Sequence, residues 1–139
     1  MQKFKPYNVY VYGTLRKGNG NHVILNESQP ICDGTLRGYK MFTLGGFPAI
    51  VHTGNDSDVV VGEVYRVDTP YVQDRLDSLE GYDRTGDRPN TFYDIDDVEV
   101  CPIGDEDHHS IPCEVYTMTR NFSDDQLIPH GDWMKRHAS

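Results

Sequence analysis

The chain has 139 residues, 37% apolar and 25% charged, which is ordinary for a globular protein and enough to bury a core. A net charge of −9, from 22 acidic and 13 basic residues, argues against unspecific binding to nucleic acid or to anionic membranes, because both need an excess of cations. There is no apolar run of transmembrane length and no h-region in MQKFKPYNVY, and three cysteines make no disulfide framework, so a single-domain cytoplasmic protein (residues 1–139) with free thiols is expected.

The first element is a strand over about 8–13. Val9 and Val11 share one face, Tyr10 and Tyr12 the other, so both faces are expected to be covered. A loop follows over 14–21, then a short helix or turn over 22–26. Residues 31–44 read as extended, broken at Gly34 and Gly38. GGFPAIV (45–51) reads as a turn and a short strand, and HTGNDSD (52–58) as a polar hairpin loop. VVVGEVYRV (59–67) is a strong strand that sets Glu63 on one face with Val59, Val61, Tyr65 and Val67. Two readings stand for Glu63: a partner for a buried Arg or Tyr, or a catalytic carboxylate.

DTPYVQDRLDSLEGY (68–82) reads as the clearest helix. Thr69 is the N-cap, Pro70 the first helical residue, and Gly81 the stop. Val72, Leu76 and Leu79 form the expected buried stripe. DRTGDRPNT (83–91) is a loop. FYDIDDVEV (92–100) is a strand whose apolar alternation changes phase, so a bulge is expected near Asp96–Asp97. After a loop at 102–110, IPCEVYTMT (111–119) returns as a strand, with Cys101 and Cys113 flanking the hairpin and close to each other. The tail, with LIPHGDW, reads as an irregular arm or short helix. The class is α+β.

Glu80 is the first candidate for chemistry. It sits beside the apolar stripe at the helix C-terminus, where the dipole and partial burial both favour its protonated form. It reads either as a general acid/base or as a solvent-facing helix glutamate. The GTLRKGNGN loop reads either as a plain turn or as a cradle of backbone N–H groups for an anion. Arg16, Lys17 and Lys40 form a candidate basic patch around such a ligand. DEDHH (105–109) is metal-capable but poorly spaced, Cys113 lacks the flanking motif of a thiol nucleophile, and there is no G-x-S-x-G elbow.

Taken in order, VYGTLRKGNGNH (11–22), GGFPAIV (45–51), GEVYRVD (62–68), LDSLEGY (76–82), FYDIDDVEV, CEVYTM and LIPHGDW resemble the γ-glutamylcyclotransferase-like family, which includes γ-glutamylamine cyclotransferase and AIG2-like proteins. The resemblance spans most of the chain. It implies a compact mixed β-barrel with flanking helices and a reaction without metal or cofactor. A γ-glutamyl amine or amino acid would cyclise to 5-oxoproline and release the amine. Glu80 would carry the protons; Tyr12, Gly13, Thr14, Leu15, Pro48 and Tyr93 would hold the substrate, and the strand would stop at Gly13 so that the main chain meets it. The sequence departs from the family after Tyr93: many relatives carry a basic residue there, as in Tyr-x-Arg, whereas Tyr93 is followed by Asp94, Ile95 and Asp96; Arg84 and Arg88 are the candidates to supply that charge. A binding protein without turnover, or an interaction module using the acidic loops at 83–97 and 104–109, are the competing readings on the same scaffold.

Overall fold

A computed structural model describes residues 4–25, 28–80, 82, 84, 93–103, 110–118, 122–128 and 130–135. Its elements are β1 (Tyr7–Val11), β2 (Gln29–Arg37), β3 (Tyr39–Thr43), β4 (Pro48–His52), β5 (Val59–Val67), α1 (Pro70–Glu80), β6 (Asp94–Pro102) and β7 (Ile111–Thr117). Five strands close a barrel in the order β1-β5-β2-β6-β7, and β3 and β4 form a separate two-stranded sheet. The barrel is mixed: its pairs are antiparallel except at the β1–β7 seam, which is parallel at Val9↔Glu114. The expected α+β barrel is thus observed.

The alternation of β1 separates two cores. Tyr10 packs with Leu36, Val60, Val64, Val100 and Val115; these come from all five barrel strands and therefore fill its interior. Val9 and Val11 face the other way, toward Leu25, Tyr65, Val67 and, from α1, Leu76. Each fully buried aliphatic of this kind contributes about 1.5–3 kcal/mol relative to exposure. The helix begins as the sequence predicts: the Val72 N–H donates to Thr69 Oγ1 at 3.3 Å, with Pro70 in the first turn. At its C-terminus the Tyr82 N–H donates to Asp77 O at 2.8 Å, which closes the last turn; Gly81 lies outside the described residues. No helix among the described residues is long and apolar enough to cross a membrane.

Several local expectations are corrected. β1 ends at Val11, two residues before Gly13. Gly34 lies inside β2 and the chain breaks only at Gly38. Residues 52–58 do not close a hairpin, because β4 pairs with β3 while β5 pairs with β1 and β2. β6 runs beside β7 in unbroken register from Asp94↔Thr117 to Val100↔Ile111, so there is no bulge at Asp96–Asp97. The phase change has another cause: Ile95 packs against the helix-side core, while Val98 and Val100 belong to the barrel interior. Asp96 is tolerated on the interior side because the Tyr39 hydroxyl donates to it at 2.7 Å. Leu79 is 40% exposed, and Asp77 takes its place in the buried stripe. The three cysteines are free as expected, but Cys113 is buried opposite Val98 while Cys101 is exposed opposite Thr35, so the two face opposite sides of the sheet.

The tail wraps back onto the barrel. Leu127 bridges Phe42, and the Val61 N–H donates to Gly131 O at 2.7 Å. Trp133, 1% exposed, plugs the interior core from the 3-10 turn Trp133–Lys135. Gly131 has φ +61°, and a Cβ there would overlap Val59 O. Gly131→Ala is therefore expected to destabilise the protein by roughly 2 kcal/mol or more in urea unfolding; an unchanged midpoint would contradict this docking of the tail.

Candidate active site

The loop after β1 is built by its own hydrogen bonds. Arg16 N–H donates to Gly13 O at 3.0 Å, Asn21 N–H to Thr14 O at 3.1 Å, and His22 Nδ1 lies 2.9 Å from Leu15 O. The Asn21 side chain adds a bond to Thr14 Oγ1 at 2.8 Å. The carbonyls of residues 13–15 are thus all occupied, whereas their N–H groups donate to no described residue. Gly13 itself is required by Pro48: a Cβ at residue 13 would lie 2.5 Å from Pro48 Cγ. Close packing against Pro48 is thus one reason for glycine at this position, and Gly13 also lines the cavity beside this loop.

A buried ionic cluster ties this loop to the barrel. Arg16 Nε donates to Glu63 Oε2 at 3.0 Å and Arg16 Nη1 to Asp132 Oδ1 at 2.7 Å, each side chain being about 11% exposed. Glu63 Oε1 also accepts from the Lys17 N–H at 3.0 Å and the Tyr65 hydroxyl at 2.8 Å. Burial opposes the charge on Glu63, but the Lys17 N–H, the Tyr65 hydroxyl and Arg16 together hold its carboxyl below the usual range. Glu63 is therefore the partner of a buried arginine and a tyrosine. Arg16 is committed to carboxylates and forms no basic patch with the exposed Lys17 and Lys40.

Beside the loop lies a cavity of about 380 Å³. Glu80, Tyr12, Gly13, Thr14, Leu15, Pro48 and Tyr93 all line it, together with Tyr10, Val11, Asn21, Gly46, Phe47, Leu79 and Tyr116. Three separate segments meet here: the loop after β1, the turn before β4, and the last turn of α1. They are brought together because Leu15, Leu44 and Leu76, one from each segment, pack into the helix-side core. Burial pushes the Glu80 carboxyl up to about 7. Among the described residues nothing donates a hydrogen bond to Glu80, and no cation lines the cavity. Burial above all holds the neighbouring Tyr12 and Tyr93 hydroxyls well above their ordinary value; Tyr93 and Glu80 add to this at Tyr12, and Glu80 at Tyr93. Their hydroxyls are fixed on main-chain carbonyls, Tyr12 on Tyr116 O at 2.6 Å and Tyr93 on Pro48 O at 2.8 Å.

One cluster was missed from the sequence. Asp77, one turn before Glu80, accepts from the Tyr116 hydroxyl at 2.6 Å and from Arg84 Nε and Nη2 at 2.9 and 3.0 Å. Arg84 also reaches Glu114 at 3.1 Å. An acidic residue on the buried side of LDSLEGY, with an arginine seven residues on, was the available signal. Arg84 thus serves the helix end rather than the cavity; Arg88 and the 105–109 run lie outside the described residues.

The family model for γ-glutamyl cyclotransferase, AIG2-like, matches residues 9–135. The chain belongs to this family. It is 36% identical over 129 residues to a Vibrio cholerae protein provisionally named a γ-glutamylcyclotransferase, covering 92% of this chain and 96% of that protein. It is 34% identical over 90 residues to the γ-L-glutamyl-butirosin B γ-glutamyl cyclotransferase of Niallia circulans, covering 64% of this chain and 54% of that one. The crystal structure of a mouse AIG2-like protein superposes with a TM-score of 0.68 at 25% identity, over 88% of this chain and 83% of the mouse chain. Membership in the γ-glutamyl cyclotransferase family gives the chain its general activity, that of a cyclotransferase enzyme.

The raised affinity of Glu80 for its proton has a stability consequence. Its folded value of about 7 exceeds its ordinary value of 4.5, so the folded state is favoured fully below pH 4.5 and loses that advantage as pH rises through 7. Glu80→Gln removes the ionisation and is expected to stabilise the protein at pH 8 by roughly 2–3 kcal/mol more than at pH 4.5. Thermal unfolding of both proteins across this range tests it. A gap that does not change with pH would show that Glu80 is not buried as described.

Proposed function

We propose that the enzyme cyclises a small γ-glutamyl amine or amino acid to 5-oxoproline, with Glu80 as general acid/base. The observation that carries this reading is a mostly buried carboxyl held near neutrality on one wall of a cavity that is also lined by residues 13–15, whose backbone N–H groups donate to no described residue. The name of the Niallia circulans relative, which specifies a γ-glutamyl substrate, supports it.

The chemistry follows from that arrangement. The Glu80 carboxylate takes a proton from the substrate's α-ammonium. The freed amine attacks the substrate's own γ-carbonyl carbon, a C–N bond forms, and the carbonyl electrons move onto oxygen. The N–H groups of residues 13–15 are the donors available to that oxyanion or to the glutamyl carboxylate. Glu80 then returns its proton to the leaving nitrogen as the original amide bond breaks. The ring nitrogen, which keeps one proton too many after the attack, gives it to the Glu80 carboxylate as the neutral lactam forms; that proton leaves on the released amine as its ammonium, so no water is consumed and Glu80 ends ionised. Nucleophile and electrophile belong to one molecule, so holding the folded rotamer supplies much of the acceleration. Tyr12 and Tyr93, fixed on main-chain carbonyls, act as walls that keep the Glu80 environment apolar.

A panel of γ-glutamyl amines and γ-glutamyl amino acids, assayed for 5-oxoproline, tests the reading. Turnover by the wild type is expected, with kcat/KM falling on the acid side of an apparent pKa near 7. Glu80→Gln is expected to lower kcat by about 10²–10⁴-fold. Full turnover in Glu80→Gln would sink the general acid/base assignment.

A further inference from the structure

The ionic cluster behind the loop is buried, and it joins parts of the chain far apart in sequence. Arg16 and Asp132 are separated by 116 residues, Arg16 and Glu63 by 47. None of the three lines the cavity. Yet Arg16 directly follows the three residues whose N–H groups are uncommitted, and its own N–H closes the turn on Gly13 O. Its guanidinium is held on two sides, by Glu63 from β5 and by Asp132 from the tail.

Asp132 is itself well placed. Gly131 docks on β5 through the Val61 N–H, and Asp132 Oδ1 accepts from the Met134 N–H at 3.0 Å. The neighbouring Trp133 is buried in the barrel interior. The carboxylate is therefore attached to a rigid support and aimed at the loop. The planar guanidinium offers Nε and Nη1 to the two carboxylates in a rigid fork, which suits arginine here better than the compact, freely rotating ammonium of lysine.

We propose that Asp132 is a positioning residue of the cyclotransferase site: acting through Arg16, with Glu63 as the second anchor, it fixes the backbone of residues 13–15 in the shape that receives the glutamyl group. The C-terminal segment is then a working part of the site although it touches no substrate. This inference rests on the reading of the cavity given above.

The test is a double-variant cycle on Arg16→Gln and Asp132→Asn, read by 5-oxoproline titration and by amide hydrogen exchange at Thr14 and Leu15. Asn at 132 keeps an acceptor for the Met134 N–H and removes the charge. Each single variant is expected to weaken 5-oxoproline binding, by about tenfold or more for Arg16→Gln, and to speed exchange at Thr14 and Leu15. The acid limb of kcat/KM, which reports Glu80 in the free enzyme, is expected to stay near 7. In the double variant, Asp132→Asn is expected to add nothing to Arg16→Gln, because its effect passes through Arg16. Fully additive losses, or wild-type binding and exchange in Asp132→Asn, would overturn the proposal. So would an equal loss in Ile128→Ala, a buried tail residue, at matched thermal stability. If the wild type neither binds nor releases 5-oxoproline, the functional reading fails instead; exchange at Thr14 and Leu15 in Asp132→Asn still decides the positioning claim, faster exchange upholding it and unchanged exchange overturning it.

Discussion

Beyond Val11 the first strand has no place in the barrel, and the site depends on that exclusion. The register from Tyr7↔Val67 to Val11↔Glu63 would next set Gly13 opposite Val61. The Val61 N–H is already bonded to Gly131 O, so the tail holds that edge of β5. β1 must leave the sheet, and the chain turns at once into the loop that lines the cavity. A loop expelled in this way needs new anchors. It finds them in Glu63, the last β5 residue that β1 pairs with, and in Asp132, next to the glycine that displaced it.

Two glutamates show how environment assigns roles. Glu63 is buried but receives a guanidinium, a hydroxyl and a backbone N–H, so its carboxylate stays ionised and holds the loop. Glu80 is buried against tyrosines and aliphatic groups with no such donors among the described residues, so its proton is held up to about neutral pH. Groups pushed apart in this way are the ordinary basis for separating structural charge from acid–base chemistry. The Asp77–Arg84–Glu114 cluster adds a third role. It neutralises the acidic end of α1 and fixes it to β7, leaving Glu80 beyond the reach of Arg84's charge-paired fork.

Much of this was legible in the sequence because it is local. The Thr69-Pro70 start of α1 and the strand of valines in β5 follow from capping and pleat rules. Glu80 stands out from its place at the helix end, Tyr12 to Leu15, Pro48 and Tyr93 from the motif resemblance, and the fold brings all seven to one cavity. What failed was non-local. The phase change in β6 looked like a bulge because one strand was assumed to serve one core, whereas Ile95 and Val98 serve two. Arg16 looked like an anion ligand because its partners lie 47 and 116 residues away. Leu79 was placed in the core because periodicity cannot foresee that Arg84 and Tyr116 would draw Asp77 inward.

The most direct measurement is a crystal structure of the complex with 5-oxoproline. The ring is expected in the cavity between the loop after β1 and the end of α1. Its lactam nitrogen should lie within hydrogen-bond distance of the Glu80 carboxyl, with an oxygen of the ligand on the N–H groups of residues 13–15. A ligand bound elsewhere, or one in the cavity that leaves both Glu80 and those N–H groups untouched, would contradict it.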